Sequence, residues 1–411
     1  MDLKSGYPFW AVKNGLMRAF PPLACNLRCE VAVVGGGITG ALVADDLAAH
    51  GFEVAVFEQR DIAWGSTCAS TALIQYEIDT HLVELAKQLG EADALLAYRA
   101  CVHAVQALQT LARGIGDVDF KMQRSLYYAS RKRDAAPLRE EFEMRARHGF
   151  DVSWIDPGEL RADYQLDAPG AILSNIAARL DPYRLAYRLL SRLVRNGASV
   201  FDRTRIAAIE AGPRQVTLHT DDGQLIRCKH LVMAAGYANQ HWLRKKVAQN
   251  RSSYAFITDP VDFAPLPYLA NTMVWETARP YLYLRSTGDG RLLVGGEDDS
   301  LDIPARRDAR VRSKAARLCK KLSKLYPALD FEAAYSWAGT FAETRDGLPY
   351  FGVHPQYGPR VHFAMAYGGN GITYSMIGAS LIRATISGRK HPLQTLFGFD
   401  RKPRSRFALM K

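Results

Sequence analysis

The stretch from Val31 to Glu58 constrains the fold of this 411-residue chain more than any other segment. An apolar strand pattern, Val31–Val34, runs into the glycine turn Gly35–Gly40. A helical pattern follows, and a second apolar strand, Val54–Phe57, ends at Glu58. This order of strand, glycine turn, helix, strand and acidic residue is typical of the first βαβ unit of a dinucleotide-binding domain. A flexible turn alone would not explain the two strands and the acid, so we predict a dinucleotide site here.

Each residue of this motif has a physical reason to be there. Gly35 permits the tight turn off the strand, Gly37 lets the backbone approach a pyrophosphate, and Gly40 lets the helix lie close to the sheet. The helix N-terminus adds unpaired N–H groups and a positive dipole end, which attract phosphate. Glu58, 18 residues after Gly40, is placed to accept hydrogen bonds from a ribose diol.

The composition is that of an ordinary soluble globular protein, with 48% hydrophobic and 23% charged residues. The length allows two domains. No apolar run approaches the roughly 20 residues of a membrane-spanning helix, and the N-terminus does not resemble a secretory signal. Six scattered cysteines fit reduced thiols in a cytoplasmic protein. Cys25 and Cys29 are close together, but no matching Cys or His pair is near them, so we expect no metal site.

The net charge of +11 is concentrated in two segments. Residues 301–324 hold nine Lys/Arg against two Asp, and the tail 401–411 holds five Lys/Arg and no acid. A helix predicted over 306–325 would pack one apolar stripe on the protein. The cations of this helix would then face solvent, or they would act together with the tail to hold the protein weakly at an anionic membrane surface. In the second case the protein would be peripheral at the inner face of a membrane. Nucleic acid is not expected, because stacking aromatics do not alternate with these cations. The stripe consists of Val311, Ala315, Leu318, Leu322 and Leu325.

Further motifs follow the first unit. Gly65-Ser66-Thr67 would bring small and hydroxyl side chains close to a ligand, although a helix N-cap explains the same residues. Asp181-Pro182 predicts a helix start, and the strand Leu231–Gly236 ends in small residues. A second glycine turn, Gly368–Ile372, opens a helix, and strand patterns over 254–297 predict an antiparallel sheet.

The order of these motifs, together with Asp346-Gly347-Leu348-Pro349, resembles the D-amino-acid oxidase/glycine oxidase superfamily of FAD-dependent oxidoreductases. The resemblance implies an α/β fold in which two domains are interleaved. One is an FAD-binding Rossmann-type, glutathione-reductase-like domain, and the other is an α+β substrate domain on a mixed or antiparallel sheet. The predicted segments are 28–98, 165–245 and 335–395 for the FAD-binding domain, 99–164 and 246–334 for the substrate-binding domain, 1–27 for an N-terminal extension and 396–411 for a basic C-terminal tail.

The resemblance also implies roles for individual residues. The first glycine turn would hold the FAD pyrophosphate and Glu58 the adenosine ribose. The second glycine turn would direct backbone N–H groups to the flavin pyrimidine edge, where a reduced flavin carries negative charge. The FAD-binding residues implied in this way are Gly35, Gly37, Ile38, Thr39, Gly40, Glu58, Gln59, Gly65, Ser66, Thr67, Ala235, Gly236, Gly369, Asn370, Gly371 and Ile372.

One departure from the family pattern concerns the substrate. Amino-acid-oxidising members carry Gly-x-Arg-Pro shortly before Asp-Gly-x-Pro, and that Arg binds the substrate carboxylate. Here the positions read Gly339-Thr340-Phe341-Ala342, so we expect Phe341 in the substrate site. Arg285 is an alternative carboxylate partner, although an ordinary strand position explains it equally well. Arg345 is explained more simply by an ion pair with Asp346.

The attachment of FAD can be predicted from the same region. Some relatives tether FAD through a Cys just ahead of the Asp-Gly-x-Pro motif or through an N-terminal His. Neither Cys nor His lies between Tyr335 and Pro349, and Cys68 is interpreted as a small packing residue. We therefore expect non-covalent, dissociable FAD.

The function implied by these residues is oxidation of a C–N bond in an amine or N-substituted amino compound. The hydride would pass to flavin N5, and the imine would then hydrolyse. We place Tyr281, Tyr283 and Glu276 nearest the substrate, as catalytic residues. Oxygen, a quinone or an electron-transfer protein would accept the electrons, and either of the last two would make the protein a dehydrogenase. The alternative from another class is a non-catalytic flavoprotein that binds a partner through its basic helix and tail.

Overall fold

The computed structural model describes residues 2–300 and 302–401. Strands within these residues form one sheet of ten strands and one of eight. Numbered along the chain, the strands are β1 (Lys4–Gly6), β2 (Leu27–Val34), β3 (Val54–Phe57), β4 (Leu73–Gln75), β5 (Lys121–Tyr128), β6 (Val152–Ile155), β7 (Ala171–Arg179), β8 (Ser199–Phe201), β9 (Ile206–Ala211), β10 (Val216–Thr220), β11 (Leu225–Met233), β12 (Gln249–Thr258), β13 (Thr272–Glu276), β14 (Leu282–Ser286), β15 (Leu292–Asp299), β16 (Ala333–Glu343), β17 (Tyr350–Val353) and β18 (Val361–Met365).

The same residues contain ten α-helices and two short 3-10 helices, Gly236–Trp242 and Pro267–Ala270. The α-helices are α1 (Phe9–Asn14), α2 (Ile38–Ala49), α3 (Ser66–Ala69), α4 (Leu82–Leu89), α5 (Glu91–Ile115), α6 (Lys132–Arg147), α7 (Pro157–Tyr164), α8 (Pro182–Arg195), α9 (Pro304–Leu325) and α10 (Gly371–Ile386).

The eight-stranded sheet is the predicted Rossmann-type element. Its strands run in the order β17-β18-β11-β2-β3-β8, with β10 beside β11 and β9 beside β10. The five strands from β18 to β8 in this order are parallel, and α2 crosses from β2 to β3 and packs against α8 and α10. Val31 and Val33 face the helices, whereas Ala32 and Val34 join a second core on the other face. Burial on both faces explains why these strands read as continuous apolar runs.

The ten-stranded sheet is mixed and mostly antiparallel, as predicted. Its order is β1-β16-β12-β15-β14-β13-β5-β7-β4, with β6 paired to β7. Only the β13–β5 pair is parallel among these described strands. Helix α9 packs on this sheet through Val311, Ala315, Leu318 and Leu322, while Leu325 is partly buried. The predicted basic helix and its apolar stripe are therefore confirmed.

The predicted segments map onto the two sheets unevenly. The eight-stranded sheet draws its strands from the three segments predicted to bind FAD, but those segments also supply β4, β7 and β16 to the larger sheet. Part of the segment predicted as an N-terminal extension is packed into the fold. Strand β1 pairs with β16, Phe9 and Trp10 are buried, and the indole N–H of Trp10 donates to the Ser70 carbonyl at 2.7 Å. The division into domains itself stays a prediction.

Ion pairs with three carboxylates neutralise part of the positive charge of α9. Five of its cations pair with carboxylates, and four of these use Glu297 or Asp299 of β15. The charge that this helix could offer to a membrane is reduced accordingly. Residues 402–411 of the predicted tail lie outside the described residues. The paired cations are Arg307, Arg310, Lys314, Arg317 and Lys321.

Asp346 pairs with Arg401 and not with Arg345. The Arg401 guanidinium donates to both carboxylate oxygens of Asp346, at 2.7 and 2.8 Å, whereas Arg345 is exposed. A residue from the start of the predicted tail is thus held against the Asp-Gly-x-Pro motif.

In residues 2–300 and 302–401, none of the helices combines the length and apolar character that crossing a bilayer would need.

Candidate active site

One long cavity is lined by residues of both sheets. The first and second glycine turns, far apart in sequence, both contribute to it, and strands β12 to β16 form another part of its wall. Of the predicted FAD-binding residues, only Gly40 does not line this cavity. The fold therefore collects the predicted cofactor residues in one place.

The first glycine turn has the close packing that its sequence predicts. Gly35 has a φ of +118°, and a Cβ on it would lie 2.3 Å from the carbonyl oxygen of Ala234. A Cβ on Gly40 would lie 1.8 Å from the Gly35 carbonyl oxygen, so α2 could not approach the sheet with any larger residue there. Gly37 immediately precedes α2 and lines the cavity. The α2 N-terminus is thereby presented to a phosphate.

Glu58 is held in place by the backbone. Its Oε2 accepts a hydrogen bond from Gly36 N at 2.8 Å, and its Oε1 accepts one from Arg60 N at 3.0 Å. Burial raises the pKa of Glu58, although both N–H groups oppose that rise by stabilising the carboxylate. Fixed at the cavity wall, this carboxylate has remaining lone pairs that could accept ribose hydroxyls.

The Gly65-Ser66-Thr67 loop packs against the first turn. Thr67 Oγ1 accepts a hydrogen bond from Ile38 N at 2.9 Å and so ties α3 to the start of α2. Ser66 lines the cavity, and its buried Oγ has no hydrogen-bond partner within the described part of the chain. Cys68 is fully buried, and its thiol donates to the Gly65 carbonyl at 3.1 Å. The interpretation of Cys68 as a packing residue is confirmed, and Ser66 is left to contact a ligand.

The second glycine turn caps α10, but one of its predicted donors is already in use. Gly369 N donates to Asp79 Oδ2 at 2.7 Å, and Asn370 Nδ2 donates to the Glu77 carbonyl at 2.5 Å. The N–H of Gly369 is therefore used by Asp79, contrary to its predicted role as a donor to the flavin, although Gly369 still lines the cavity. The backbone N–H groups of Gly371 and Ile372, at the N-terminus of α10, remain directed to this part of the cavity.

The two tyrosines predicted near the substrate both line the cavity. The ring of Tyr283 lies over Gly295, where a Cβ would meet it at 2.3 Å. The hydroxyls of Tyr283 and Ser253 are 3.4 Å apart. Burial raises the pKa of Tyr283 to about 12, so the phenol is neutral near pH 7 and carries a proton that it can donate. Phe341 also lines the cavity, as predicted.

Glu276 does not belong to the cavity, contrary to the prediction. Along β13 the side chains alternate, so that Trp275 lines the cavity and Glu276 points elsewhere. Glu276 Oε2 accepts from the Ser130 hydroxyl at 2.9 Å, and Oε1 accepts from Leu282 N at 2.8 Å. Its carboxylate is therefore structural and fastens β13 to its neighbours.

Arg285 is likewise not a substrate residue. It is 0% exposed and does not line the cavity. Its guanidinium donates to the carbonyls of Thr71 at 2.7 Å, Ser286 at 3.0 Å and Leu180 at 3.1 Å. Burial lowers its pKa to about 10, so it stays charged near pH 7. The Arg285 guanidinium therefore binds three backbone carbonyls behind the cavity wall and is not available to a substrate.

Three cavity carboxylates, Glu77, Asp79 and Asp298, were missed by the sequence reasoning. A signal for two of them was present, because Gln75, Glu77 and Asp79 alternate along an extended segment and all line the cavity. Asp298 had no distinguishing local signal, since it lies between Glu297 and Asp299 at the end of β15, and the sequence does not show which of these three acids faces the cavity.

A buried cation lies behind Glu77. Arg145 is 0% exposed, and its Nε donates to Glu141 at 2.7 Å. One of its terminal nitrogens is 3.9 Å from Glu77 Oε1. Arg145 thus offsets part of the charge of Glu77 from outside the cavity.

The family model described as DAO, FAD dependent oxidoreductase, matches residues 30–385. The chain belongs to this family. As a DAO-family protein it is an FAD-dependent oxidoreductase, and FAD is its cofactor. The glycine turns, the Glu58 carboxylate and the unpartnered Ser66 hydroxyl fit that group.

Similar proteins support the assignment. Gamma-glutamylputrescine oxidoreductase of Escherichia coli (strain K12) is 25% identical over 392 residues, covering 92% of this chain and 88% of that protein. Glycine oxidase of Geobacillus kaustophilus (strain HTA426) is 26% identical over 340 residues, covering 80% of this chain and 85% of that protein. A crystal structure of glycine oxidase from Geobacillus kaustophilus matches with a TM-score of 0.76 at 21% identity, over 92% of this chain and 99% of that one. The predicted fold class is thereby confirmed.

Proposed function

We propose that this DAO-family protein oxidises the C–N bond of an amine or an N-substituted amino compound. The names of the similar proteins given above refer to glycine and to gamma-glutamylputrescine, which both contain C–N bonds. The observation that carries the proposal is the cavity itself, whose lining includes both glycine turns and a group of aromatic side chains. This aromatic wall includes Trp275, Tyr281, Tyr283 and Phe341.

When bound, FAD supplies the acceptor for the hydride that leaves the carbon next to nitrogen. The C–H bond breaks as the nitrogen lone pair forms the C=N bond, and water then hydrolyses the imine. The aromatic wall excludes water while the hydride moves. The N-terminus of α10, with its positive dipole end, lies where the family resemblance puts the flavin pyrimidine edge and would stabilise negative charge there. Tyr283 offers a neutral phenol that orients the substrate.

The substrate class follows from Phe341. This half-buried ring lines the cavity at the position where amino-acid-oxidising relatives carry a cationic clamp. A carboxylate placed against it would be desolvated without a partner, which is costly. We therefore expect simple α-amino acids to be poor substrates and amines without an α-carboxylate to be better ones.

Anaerobic stopped-flow mixing with a panel of amines and amino acids tests this function. Bleaching of the flavin absorbance by amines, but not by glycine or small D-amino acids, is the expected result. No bleaching by any amine would contradict the proposed function, and efficient turnover of glycine would contradict the substrate class. Admission of air to the reduced enzyme then separates an oxidase from a dehydrogenase that uses a quinone or a partner protein.

A cytoplasmic location, peripheral at a membrane, stays a prediction. The ion pairs of α9 leave fewer cations for lipid than the sequence suggested. Weak, salt-sensitive contact with anionic lipid is the form of association that these residues support.

A further inference from the structure

The part of the cavity remote from the ribose site has an excess of negative charge. Glu77, Asp79 and Asp298 all line it. The cations among the described lining residues are Arg60 and Arg205. Both lie close to the Glu58 segment, at the ribose end of the cofactor site.

Glu77 Oε2 and Asp298 Oδ1 are both buried without a hydrogen-bond donor in the described part of the chain, but Asp298 differs from Glu77 in having no ion-pair partner within 4 Å there. Glu77 has Arg145 behind it, 3.9 Å away, and Asp79 accepts the N–H of Gly369 at 2.7 Å. Asp298 Oδ1 is buried and has no hydrogen-bond partner within the described part of the chain. A buried carboxylate oxygen without a donor is costly, and a cationic ligand would relieve that cost.

The described surroundings of Asp298 do not place a cation in direct contact with it. Ser253 offers a hydroxyl, and the positive charge of Arg279 favours the carboxylate, while Glu343 and Asp79 oppose it. Arg279 is exposed, and its guanidinium lies 3.6 Å from the ring centroid of Tyr281 instead of pairing with Asp298. Asp298 thus faces the cavity without a cation in ion-pair contact among the described residues.

The chemistry of amine oxidation decides which nitrogen this carboxylate can hold. Hydride leaves the carbon only when the adjacent nitrogen is neutral and its lone pair is free. A carboxylate bonded to the reacting nitrogen would favour its protonated form and oppose the reaction. A cation bound by Asp298 must therefore be a different nitrogen of the substrate.

We propose that Asp298 binds a second, protonated nitrogen of the substrate, so that linear diamines are preferred over monoamines. This inference rests on the proposed amine oxidation. Asp298 is here a specificity residue, and the oxidised nitrogen lies at the other end of the substrate.

The test compares three ligands of equal chain length: a linear diamine, the corresponding monoamine and the corresponding ω-amino acid. Half-saturating concentrations are measured from anaerobic flavin reduction in wild-type holoenzyme, in Asp298→Asn and in the surface control Asp308→Asn. Binding is measured in parallel from the rise in unfolding temperature. If no amine reduces the flavin, the proposed oxidation fails, while the unfolding data still test the Asp298 contact.

The diamine is expected to bind more tightly than the monoamine. Asp298→Asn should weaken diamine binding roughly 10- to 150-fold, the loss expected for a charge-assisted hydrogen bond. It should leave the monoamine within about twofold, and Asp308→Asn should leave both unchanged. Equal effects on both amines, no effect on either, or tighter binding of the ω-amino acid than of the diamine would overturn the proposal.

A measurement on the wild-type enzyme covers the case in which Asp298→Asn does not fold. Burial raises the pKa of Asp298 to about 6, so its charge is lost as the pH falls through that value. The ratio of diamine to monoamine affinity should therefore fall below about pH 6, because both amines stay protonated there. A ratio that does not change between about pH 5 and 8 would overturn the proposal.

Discussion

The Asp298→Asn substitution is expected to stabilise the protein even as it weakens diamine binding. Burial raises the pKa of Asp298 from 3.8 to about 6, with Glu343 and Asp79 acting in the same direction and Ser253 and Arg279 opposing them. One pKa unit corresponds to about 1.36 kcal/mol. Keeping this carboxylate ionised in the folded protein therefore costs roughly 1–3 kcal/mol near pH 8. Asparagine has nearly the same shape without the charge, so this cost disappears.

The pH dependence of this effect has a definite sign. Because the pKa of Asp298 is raised by folding, the folded protein holds more protons than the unfolded chain between about pH 4 and 6. The free energy of unfolding therefore falls as the pH rises through this window. The gain from Asp298→Asn should be largest above pH 6 and small near pH 4.

Thermal unfolding of the FAD-loaded proteins at about pH 5 and 8 measures this gain. A difference of 1 kcal/mol moves the midpoint by roughly 2–4 °C in proteins of a few hundred residues. The Asp308→Asn control removes a charge from the exposed side of α9 and should not change the midpoint. A variant that unfolds at or below the wild-type temperature at pH 8 would refute the reasoning.

Four other predictions follow from the same structure. Glu58→Ala should weaken FAD binding roughly 10- to 150-fold through lost ribose hydrogen bonds, measured by titration of the flavin-free protein; unchanged affinity would remove Glu58 from the site. Acid or heat should release FAD into solution, since none of the described cavity-lining residues is Cys or His; flavin in the protein pellet would show a covalent link. Gly40→Ala should abolish FAD retention because its Cβ would lie 1.8 Å from a carbonyl oxygen, whereas Gly158→Ala, with no atom within 4 Å, should retain it; equal flavin content in the two would contradict the packing argument. Anionic vesicles should sediment the protein at low salt and release it near 0.3 M, where the Debye length is roughly 5–6 Å; binding that survives Lys320→Glu and Lys324→Glu would exclude α9 as the contact.

The sequence by itself determined the nucleotide-binding unit and the packing of the basic helix. Both depend on features of a short segment: backbone conformation in the first case and side-chain periodicity in the second. Gly35 needs a φ that other residues avoid, and Gly40 has no room for a side chain. The apolar stripe of α9 repeats with the period of an α-helix, so it specifies which face is buried. Such signals are contained within one short segment and can be interpreted without knowledge of the rest of the chain.

The tertiary structure alone decided which polar side chains line the cavity. Glu276 and Arg285 lie on the expected strands, yet one points away from the cavity and the other is bound by three carbonyls. Asp79 and Asp298, distant in sequence, reach the same cavity instead. Strand periodicity indicates that neighbouring side chains alternate, but it does not specify which face will meet a cofactor or which distant groups will compensate a charge. Those partners come from other segments, and only the packed fold brings them together.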